Sequence, residues 1–403
     1  MITQHRDLRT GQPIWLARRA PRIETQLLVE DIRTDVAIIG AGISGALMAE
    51  SLTEAGFSVC VFDRRKPVTG STPASTALLQ FEVDTPLHQL ARKIGINDAE
   101  RAWRRSKLAV DALRERTRRL QINCEMENRD SLYLAGDLLD KNGLEKELAA
   151  RRRAGFETQL LGREELKTVF YINREAALMS FDNIEANPRK LAAGYLKTAI
   201  GRGAKVFAPA DIVAVEPAER GVRAMTATGQ TIRCKHLIFA TGYEIPKQVP
   251  QKGHSIISTW AVATVPQKQT PWPQRCLIWE ASDPYLYMRT TADGRIIVGG
   301  EDEEFEDEDK RDGKLPAKTK AILAKLKKLF PGVSAEADYA WTGSFGASET
   351  GLPSIGPVPG MNRCYAVLGY GGNGITFSMV AAQIIRGQIT GTGDPDADVF
   401  AFK

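Results

Sequence analysis

The chain has 403 residues, of which 43% are hydrophobic and 26% charged, and its formal net charge is +5. This length predicts more than one domain, and the composition is that of an ordinary globular protein. A modest positive charge without a recognisable binding module argues against nucleic-acid binding. No apolar run is long enough to span a membrane, and the amino terminus lacks the apolar core of a secretory signal. We therefore expect a cytoplasmic protein.

Cysteine and histidine usage argues against a metal site. The five cysteines are scattered and never form a C-x-x-C pair, and the four histidines show no ligand spacing. An odd number of unpaired cysteines also argues against a disulfide framework. The sequence therefore predicts neither a metal nor a disulfide scaffold.

The first clear pattern, after a polar arm over residues 1–34, is a βαβ unit. The apolar run 35–39 predicts a parallel strand that is buried on both faces, and residues 44–55 predict a helix ended by Gly56. Residues 58–62 predict a second buried strand. In the arm, Trp15 is expected to act as an anchor.

A G-x-G-x-x-G motif joins the first strand to the helix. Gly40 permits the tight turn, Gly42 lets the backbone approach a pyrophosphate, and Gly45 lets the helix pack closely on the strand. The helix amino terminus then presents free N–H groups to phosphates. Asp63 follows eighteen residues after Gly45, where a carboxylate accepts hydrogen bonds from an adenosine ribose. The motif fits NAD and FAD alike.

The rest of the chain alternates between helical and strand patterns. Residues 98–120 predict a helix with eight Arg or Lys, packed by one stripe that includes Trp103 and Leu108. A solvated face is the simplest interpretation, and a partner or membrane surface is the alternative. Residues 301–309 hold eight acids in nine positions and predict an exposed loop. Further strands are expected at 204–216, 221–234, 235–242 and across 256–300, and further helices at 316–330 and 375–386.

Four segments resemble the D-amino-acid oxidase family, which includes glycine oxidase and sarcosine oxidase. They are the dinucleotide motif, the hydroxyl-rich loop 70–79, the strand end 239–242, and the stretches 351–357 and 369–375. They span residues 35 to 386 in the family's order. The amino-terminal arm and the W-x-G at Trp341 are similar to the gamma-glutamylputrescine oxidase-like branch.

The resemblance implies an α/β fold in which a discontinuous Rossmann-type FAD-binding domain is combined with an α+β, mainly antiparallel substrate domain. We assign residues 35–95, 185–250 and 345–403 to the FAD-binding domain, and residues 96–184 and 251–344 to the substrate domain. It also implies non-covalent FAD, because residues 344–348 lack the cysteine that anchors flavin in some members. The expected cofactor-binding residues are Gly40, Gly42, Ile43, Ser44, Gly45, Asp63, Arg64, Arg65, Ser71, Thr72, Ser75, Thr76, Ala77, Leu78, Ile212, Val213, Ala240, Thr241, Gly242, Gly371, Gly372, Asn373, Gly374, Ile375 and Thr376.

The implied activity is oxidation of a C–N bond in an amine or amino acid, by hydride transfer to flavin N5, giving an imine that hydrolyses. Oxygen, a quinone or a carrier would reoxidise the flavin. Arginines that bind a substrate carboxylate in some members are absent from 77–82 and 341–344, and Glu82 and Asp84 instead suit a cationic amine. The candidate substrate-site residues are Tyr285, Tyr287, Arg289, Trp341 and Tyr370.

Two other functions stay open from the sequence. A nicotinamide-dependent dehydrogenase would share the dinucleotide motif. A flavin-binding subunit of a larger dehydrogenase complex could use the basic helix 98–120 and the acidic block 301–309 for docking.

Overall fold

The computed structural model describes residues 2–19 and 21–403. Its helices and strands alternate along the chain. The helices are α1 (Ile14–Ala17), α2 (Ile43–Glu54), α3 (Leu87–Ile94), α4 (Ile96–Arg119), α5 (Lys141–Arg153), α6 (Arg163–Val169), α7 (Pro188–Gly201), α8 (Glu308–Gly313), α9 (Leu315–Leu329) and α10 (Gly374–Thr390). The strands are β1 (Ile32–Ile39), β2 (Val59–Phe62), β3 (Leu78–Leu79), β4 (Glu127–Leu134), β5 (Thr158–Gly162), β6 (Ala176–Glu185), β7 (Lys205–Phe207), β8 (Ile212–Ala218), β9 (Gly221–Thr226), β10 (Thr231–Phe239), β11 (His254–Thr264), β12 (Leu277–Glu280), β13 (Leu286–Thr290), β14 (Ile296–Glu303), β15 (Ala337–Ser348), β16 (Ser354–Pro357) and β17 (Cys364–Leu368).

The first sheet has a parallel centre. Its strand order is β16-β17-β10-β1-β2-β7, and β10, β1, β2 and β7 run parallel. The apolar residues of β1 and β2 are buried because helices cover one face, where α2 packs against α7 and α10. The predicted βαβ unit and the α/β fold class are confirmed. The predicted break between residues 234 and 235 is wrong, because β10 continues through it.

The second sheet is mainly antiparallel. Its order is β15-β11-β14-β13-β12-β4-β6-β3, and only the β12–β4 pair is parallel among the pairs of the described residues. Helix α9 packs its apolar face on β11 and β14, so that Ile322 and Leu326 are fully buried. The expected combination of a Rossmann-type sheet with an antiparallel sheet is therefore observed.

Helix α4 carries the basic face that the sequence predicted. Trp103 is fully buried, whereas Leu108 is 57% exposed, so the interpretation of Leu108 as a packing residue is wrong. Several of its arginines form ion pairs within the chain, as Arg105 does with Asp394 and Arg116 with Glu50. The helix packs on α3 and α10, on the side of the first sheet, although we assigned it to the substrate domain. The domain boundaries stay a prediction.

The acidic block 301–309 is only partly a loop. Its first residues extend β14 to Glu303, and its last residues begin α8. Glu303 pairs with Lys314, which directly precedes α9, and with Lys318 of α9, while Glu301 is 8% exposed. The exposed-loop prediction failed for residues 301–303 because lysines of the following helix neutralise the block.

Candidate active site

A long cleft is lined by residues from both sheets and has two sections. One section lies at the carboxyl ends of β1 and β2, beside the first βα turn. The other extends to the second sheet and has a volume of about 1120 Å³, of which part is open to solvent. Both sections share Ile43, Ser44, Ser71, Thr72 and Gly242. The cleft is therefore continuous from the dinucleotide motif to the second sheet.

The first section is built around the dinucleotide motif. Gly40 has a φ of +112°, and a Cβ on Gly45 would lie 1.9 Å from the Gly40 carbonyl oxygen, so neither position accommodates a side chain. The Asp63 carboxylate accepts the N–H groups of Ala41 (2.7 Å) and Arg65 (2.8 Å). Burial raises the pKa of Asp63, although these two bonds oppose the rise. The predicted cofactor residues that line this section are Gly40, Gly42, Ile43, Ser44, Asp63, Arg64, Arg65, Ser71, Thr72, Ile212, Ala240, Thr241 and Gly242.

Glu244 is a residue of this section that the sequence analysis missed. It forms ion pairs with Arg64 and Arg65, and it accepts the backbone N–H of Arg6 at 2.8 Å. The amino-terminal arm is thereby fixed along the section, where Ile2 also contributes to the lining. Glu244 is not part of a recognisable motif and lies 179 residues from Arg65 along the chain. No local sequence pattern therefore indicates its ion pair with Arg65.

Three predicted cofactor residues do not line the cleft. Gly45 acts in helix–strand packing, as its tight contact with Gly40 shows. Thr376 is buried and donates its hydroxyl to the Gln80 carbonyl at 2.9 Å. Val213 lies on β8, beside the lining residue Ile212. Thr376 therefore acts in a hydrogen bond within the interior, whereas partly buried Val213 lies at an irregularity of the β8–β9 pairing.

The hydroxyl-rich loop lines both sections and is held by three buried side chains. Trp15 of the arm donates its indole N–H to the Ser75 carbonyl at 2.7 Å. Trp341 of β15 donates to the Ala74 carbonyl at 2.8 Å. Arg289 of β13 donates to the Thr76 carbonyl at 2.8 Å. Three consecutive carbonyls are thus bound by donors from three distant elements, which fixes the loop.

These contacts correct two predicted substrate residues. Arg289 is 3% exposed, pairs with Glu185 at 3.0 Å and also donates to the Ala186 carbonyl. Burial lowers the pKa of Arg289, and Glu185 opposes that shift. Trp341 is 1% exposed. Neither residue lines the cleft, because the donor groups of both are committed to the loop. The expectation that Trp15 anchors the arm agrees with its burial.

The second section contains the predicted glycine turn. Gly371, Gly372, Asn373, Gly374 and Ile375 line it at the start of α10, together with Ser75, Thr76, Ala77 and Leu78 of the loop. These residues come from distant parts of the chain, and the fold brings them to one cavity. The turn and the loop were predicted together, and the structure places them together.

Asp84 faces this section beside the glycine turn. The N–H of Gly372 donates to its Oδ2 at 2.7 Å. A Cβ on Gly371 would lie 2.4 Å from that oxygen, so the glycine provides the space that the carboxylate occupies. The cleft walls around the Asp84 carboxylate partly desolvate it and raise its pKa, although the side chain is exposed toward the cleft and the Gly372 hydrogen bond opposes the rise. Asp84 is therefore a carboxylate held within the cleft with one backbone partner.

Glu82 does not share this placement. It is 2% exposed, and its carboxylate is bonded to Ser131 in the interior. In a strand, two residues separated by one position point to the same face. Glu82 and Asp84 lie in an irregular segment instead, so their spacing does not predict that both face the cleft. The prediction that Glu82 contacts the substrate has no support from its position.

Aromatic residues form much of the lining of this section. The rings of Tyr285 and Tyr287 lie 5.6 Å apart and are tilted by 39°, and Tyr243 meets Tyr370 edge to face at 6.1 Å. The Tyr370 hydroxyl bonds Ser44 at 3.0 Å, which ties it to the start of α2. Burial raises the pKa of all four phenols, so they remain protonated. Sequence analysis missed Tyr243, Trp279, Thr259, Gln80 and Phe345, which also line the section.

Charge in this section has one sign. Among the residues that the structure describes, none of those lining it is Arg, Lys or His, and Asp84 is the one carboxylate in the lining. A carboxylate among aromatic rings favours a cationic group. The section is therefore suited to an ammonium ion.

A dinucleotide cleft that opens into an aromatic, acidic cavity is the arrangement of an oxidoreductase that binds a dinucleotide cofactor next to its substrate. Residues 35–387 match the family described as DAO, FAD dependent oxidoreductase, and the chain belongs to that family. The nicotinamide-dependent alternative is therefore wrong, because members of this family use FAD.

Two curated relatives and one solved structure illustrate the similarity. Gamma-glutamylputrescine oxidoreductase of Escherichia coli (strain K12) is 24% identical, with 91% of this chain and 86% of the relative covered. Glycine oxidase of Bacillus licheniformis is 23% identical, with 92% and 97% covered. The crystal structure of glycine oxidase from Geobacillus kaustophilus superposes with a TM-score of 0.75 at 18% identity, covering 92% of this chain and 98% of that chain.

The residues present fit FAD. The cleft is continuous, its first section has the glycines and the fixed Asp63 carboxylate that suit an adenosine diphosphate, and its second section has the glycine turn. The five cysteines are all buried, and none lines either section. No helix of the described residues is long and apolar enough to cross a membrane.

Proposed function

We propose that this protein oxidises the C–N bond of a cationic amine, with FAD bound non-covalently in the cleft. FAD supplies the acceptor for the hydride that leaves the carbon next to nitrogen. The chain's own residues bind and orient the amine and exclude water from it. The observation that carries the proposal is Asp84, which faces the cavity beside the glycine turn with no cationic residue in the lining.

Asp84 would bind the ammonium group of the substrate. Its Oδ2 is fixed by Gly372, so the carboxylate is oriented before the amine arrives. Tyr285 and Tyr287 supply aromatic faces that stabilise a cation and aliphatic carbons. Because Arg289 is committed to Glu185 and to loop carbonyls, no arginine is in place for a substrate carboxylate. These contacts favour an amine over an amino acid.

The similarity to named relatives is compatible with an amine substrate but does not distinguish an amine from an amino acid. One relative is named for gamma-glutamylputrescine and another for glycine, so the family contains both kinds of substrate. The chain is below 25% identity to each. The substrate preference therefore depends on the cavity residues of this chain.

Anaerobic flavin reduction tests the proposal. The purified holoenzyme is mixed without oxygen with three amines (butylamine, N-methylbutylamine and putrescine) and with four amino acids (glycine, sarcosine, D-alanine and L-proline), and flavin absorbance is followed. We expect amines to bleach the flavin faster than amino acids. Faster bleaching by any of the amino acids would refute the amine preference.

The electron acceptor is addressed in the same experiment. After bleaching, air is readmitted and the return of the flavin absorbance is timed. Rapid return identifies an oxidase, whereas slow return that a soluble quinone accelerates identifies a dehydrogenase. A chain that is reduced by none of the seven compounds, while it still binds FAD, would favour the alternative of a flavin-binding subunit.

A further inference from the structure

The wall of the second section conceals a carboxylate that the lining does not include. The carboxylate oxygens of Asp302 of β14 are buried although the residue is partly exposed, and neither oxygen has a hydrogen-bond partner. The hydroxyls of Thr259 and Tyr285 lie close to the carboxylate but outside hydrogen-bonding geometry. Both of these neighbours line the cavity. An unpaired buried carboxylate is costly, so its retention directly behind a substrate cavity calls for a function.

A β-bulge places Asp302 on this side of the sheet. On the neighbouring strand β11, Ser258 pairs with Glu303 and Trp260 pairs with Gly300, so Thr259 alone opposes two residues of β14. Glu301 has a φ of +60°. Such an extra residue reverses the alternation of side chains beyond it, and bulges of this kind are common beside active sites.

The neighbours of Asp302 confirm the reversal. Glu301 and Glu303 on either side of it both form ion pairs with lysines of α9, including Lys318. Asp302 therefore points to the opposite face, where the ring of Tyr287 contacts Gly299. Without the extra residue, Asp302 would lie on the α9 side among those lysines.

Several charged or titratable groups influence Asp302. Burial raises the pKa of Asp302 to about 6, and the hydroxyls of Thr259 and Tyr285 oppose the rise. Asp84 adds to the rise from across the cavity, and Lys318 of α9 opposes it. Tyr287 lies on the same side, and its own pKa is raised by burial and by Asp302. Asp302 is thus ionised at neutral pH and ready to bind a proton slightly below it.

Amine oxidation requires a proton to leave first. An alkylammonium ion has no lone pair to stabilise the carbon from which hydride departs, so the reactive form is the neutral amine. Asp84 is suited to bind the ammonium form, and that form must then lose a proton before hydride can leave. A buried base near the cavity meets this requirement.

We propose that Asp302 accepts the proton of the substrate ammonium through the hydroxyl of Tyr285. The N–H bond of the ammonium breaks as its proton passes to the Tyr285 oxygen, and the hydroxyl proton of Tyr285 passes at the same time to a carboxylate oxygen of Asp302. The products are a neutral amine, an unchanged tyrosine and a neutral carboxylic acid, and no electrons are transferred. Asp302 acts through Tyr285 and does not itself touch the substrate. The inference depends on the proposed amine oxidation.

The test is the pH dependence of flavin reduction in the holoenzyme. Whichever of the three amines above reduces the flavin fastest is used at saturation between pH 5 and 10. In the wild type we expect the rate constant to fall as pH drops through about 6, where Asp302 becomes protonated. In Asp302→Asn we expect a loss of about 100-fold at pH 7, and a steady recovery as pH rises and the amine loses its proton to solvent.

A neighbouring acid supplies the matched control. Glu303→Gln removes the same charge one residue away, on the α9 face, and should leave both the rate and its pH profile unchanged. A raised dissociation constant with an unchanged reduction rate in Asp302→Asn would overturn the inference and make Asp302 a binding residue. An unchanged pH profile would overturn it as well. If no amine reduces even the wild-type flavin, it is the proposed function that fails.

A second measurement does not depend on turnover. tert-Butylamine has no hydrogen on the carbon next to nitrogen, so it binds as an amine but is not oxidised. We expect its binding to the wild-type holoenzyme to produce the infrared band of a protonated carboxyl group, and expect Asp302→Asn to lack that band. Absence of the band in the wild type, or its persistence in the variant, would contradict the inference.

Discussion

Two side chains of the same charge can differ in whether they face the cleft or are bound in the interior, and their hydrogen-bond partners determine which. Asp84 faces the cleft with one backbone donor, whereas Glu82, two residues earlier, is buried against Ser131. Arg289 is among the most buried charges, and its partners, Glu185 and the carbonyls of Thr76 and Ala186, leave it no capacity for a ligand. The residue type alone therefore does not identify a substrate contact, because the neighbours decide which groups remain available.

Asp84→Asn tests the contact with the ammonium group. Asparagine keeps an oxygen that can accept the Gly372 N–H, so only the charge is lost. A hydrogen bond to a charged group contributes about 1.5–3 kcal/mol, so we expect kcat/KM for the best amine to fall about 10- to 100-fold. FAD binding should be unchanged. Asp309→Asn, which alters an exposed acid, is the control, and equal losses in both variants would refute a specific contact.

Arg289→Met tests the structural role of the buried arginine. Removing one member of a buried ion pair leaves Glu185 with weaker compensation, so we expect a loss of about 3 kcal/mol in the free energy of unfolding, measured in urea. Arg223→Met, on an exposed ion pair, should cost less than about 1 kcal/mol. Unchanged stability with a selective loss of activity on amino acids would show instead that Arg289 binds substrate carboxylates.

At the scale of elements, the loop at the end of the short 3-10 helix Thr72–Ala74 is fixed by hydrogen bonds from other parts of the chain. The arm, β13 and β15 each donate one hydrogen bond to it, and the residue after the last of these carbonyls, Ala77, has a φ of +58°. A non-glycine residue in this conformation is strained by about 1 kcal/mol or more, so the loop depends on its outside contacts to keep its shape. These contacts therefore shape the part of the loop that lines the second section of the cleft.

Trp15→Phe tests this dependence. Phenylalanine keeps most of the buried aromatic area but leaves the Ser75 carbonyl without its donor. We expect a loss of about 1 kcal/mol in stability and weaker FAD binding by about tenfold, measured by flavin fluorescence on dilution. Trp272→Phe removes a comparable bond to the Cys276 carbonyl, far from the cleft, and should lower stability without changing FAD affinity. If Trp15→Phe and Trp272→Phe lowered FAD affinity equally, the hydrogen bond from Trp15 to the loop would have no specific role in FAD binding.

The sequence allowed the local elements to be predicted and left the long-range contacts undetermined. The βαβ unit was located within three residues because its strands are continuous apolar runs with glycine at their ends. Trp15 and Trp341 contact the loop over 60 and 267 residues, so no periodicity reveals them. Asp302 was hidden in an acidic block that predicts solvent exposure, and a single bulge residue determines which face it occupies.

At the scale of the whole molecule, a buried network around Glu147 connects helices α3 and α5 to strand β6 of the second sheet. Glu147 of α5 accepts the N–H groups of Leu87 and His88 at the start of α3, at 2.9 and 3.0 Å. It also pairs with Arg151 at 2.8 Å, and Arg151 donates to Ser180 of β6. Helix α3 begins three residues after Asp84, so this network fixes the segment that contains Asp84.

Acid stability tests this connection. Burial alone would raise the pKa of Glu147, but Arg151 and His88 outweigh it and lower the pKa from 4.5 to about 2. A carboxyl whose pKa is lowered by folding stabilises the native state above its ordinary pKa, and that contribution of about 3 kcal/mol is lost as pH falls from about 4.5 to 2. We therefore expect the wild-type urea midpoint to decrease over this interval.

Glu147→Gln should remove that part of the acid dependence. It leaves Arg151 without its buried partner, so we expect a loss of about 3–5 kcal/mol at pH 7 and a flatter decline between pH 4.5 and 2. Glu145→Gln, on the exposed face of the same helix, should follow the wild-type curve. If Glu147→Gln also followed that curve, the acid sensitivity would belong to other carboxylates. If it differed, a lower affinity for the amine at pH 7 would connect the network to the position of Asp84, since α3 and the cleft segment are continuous in the chain.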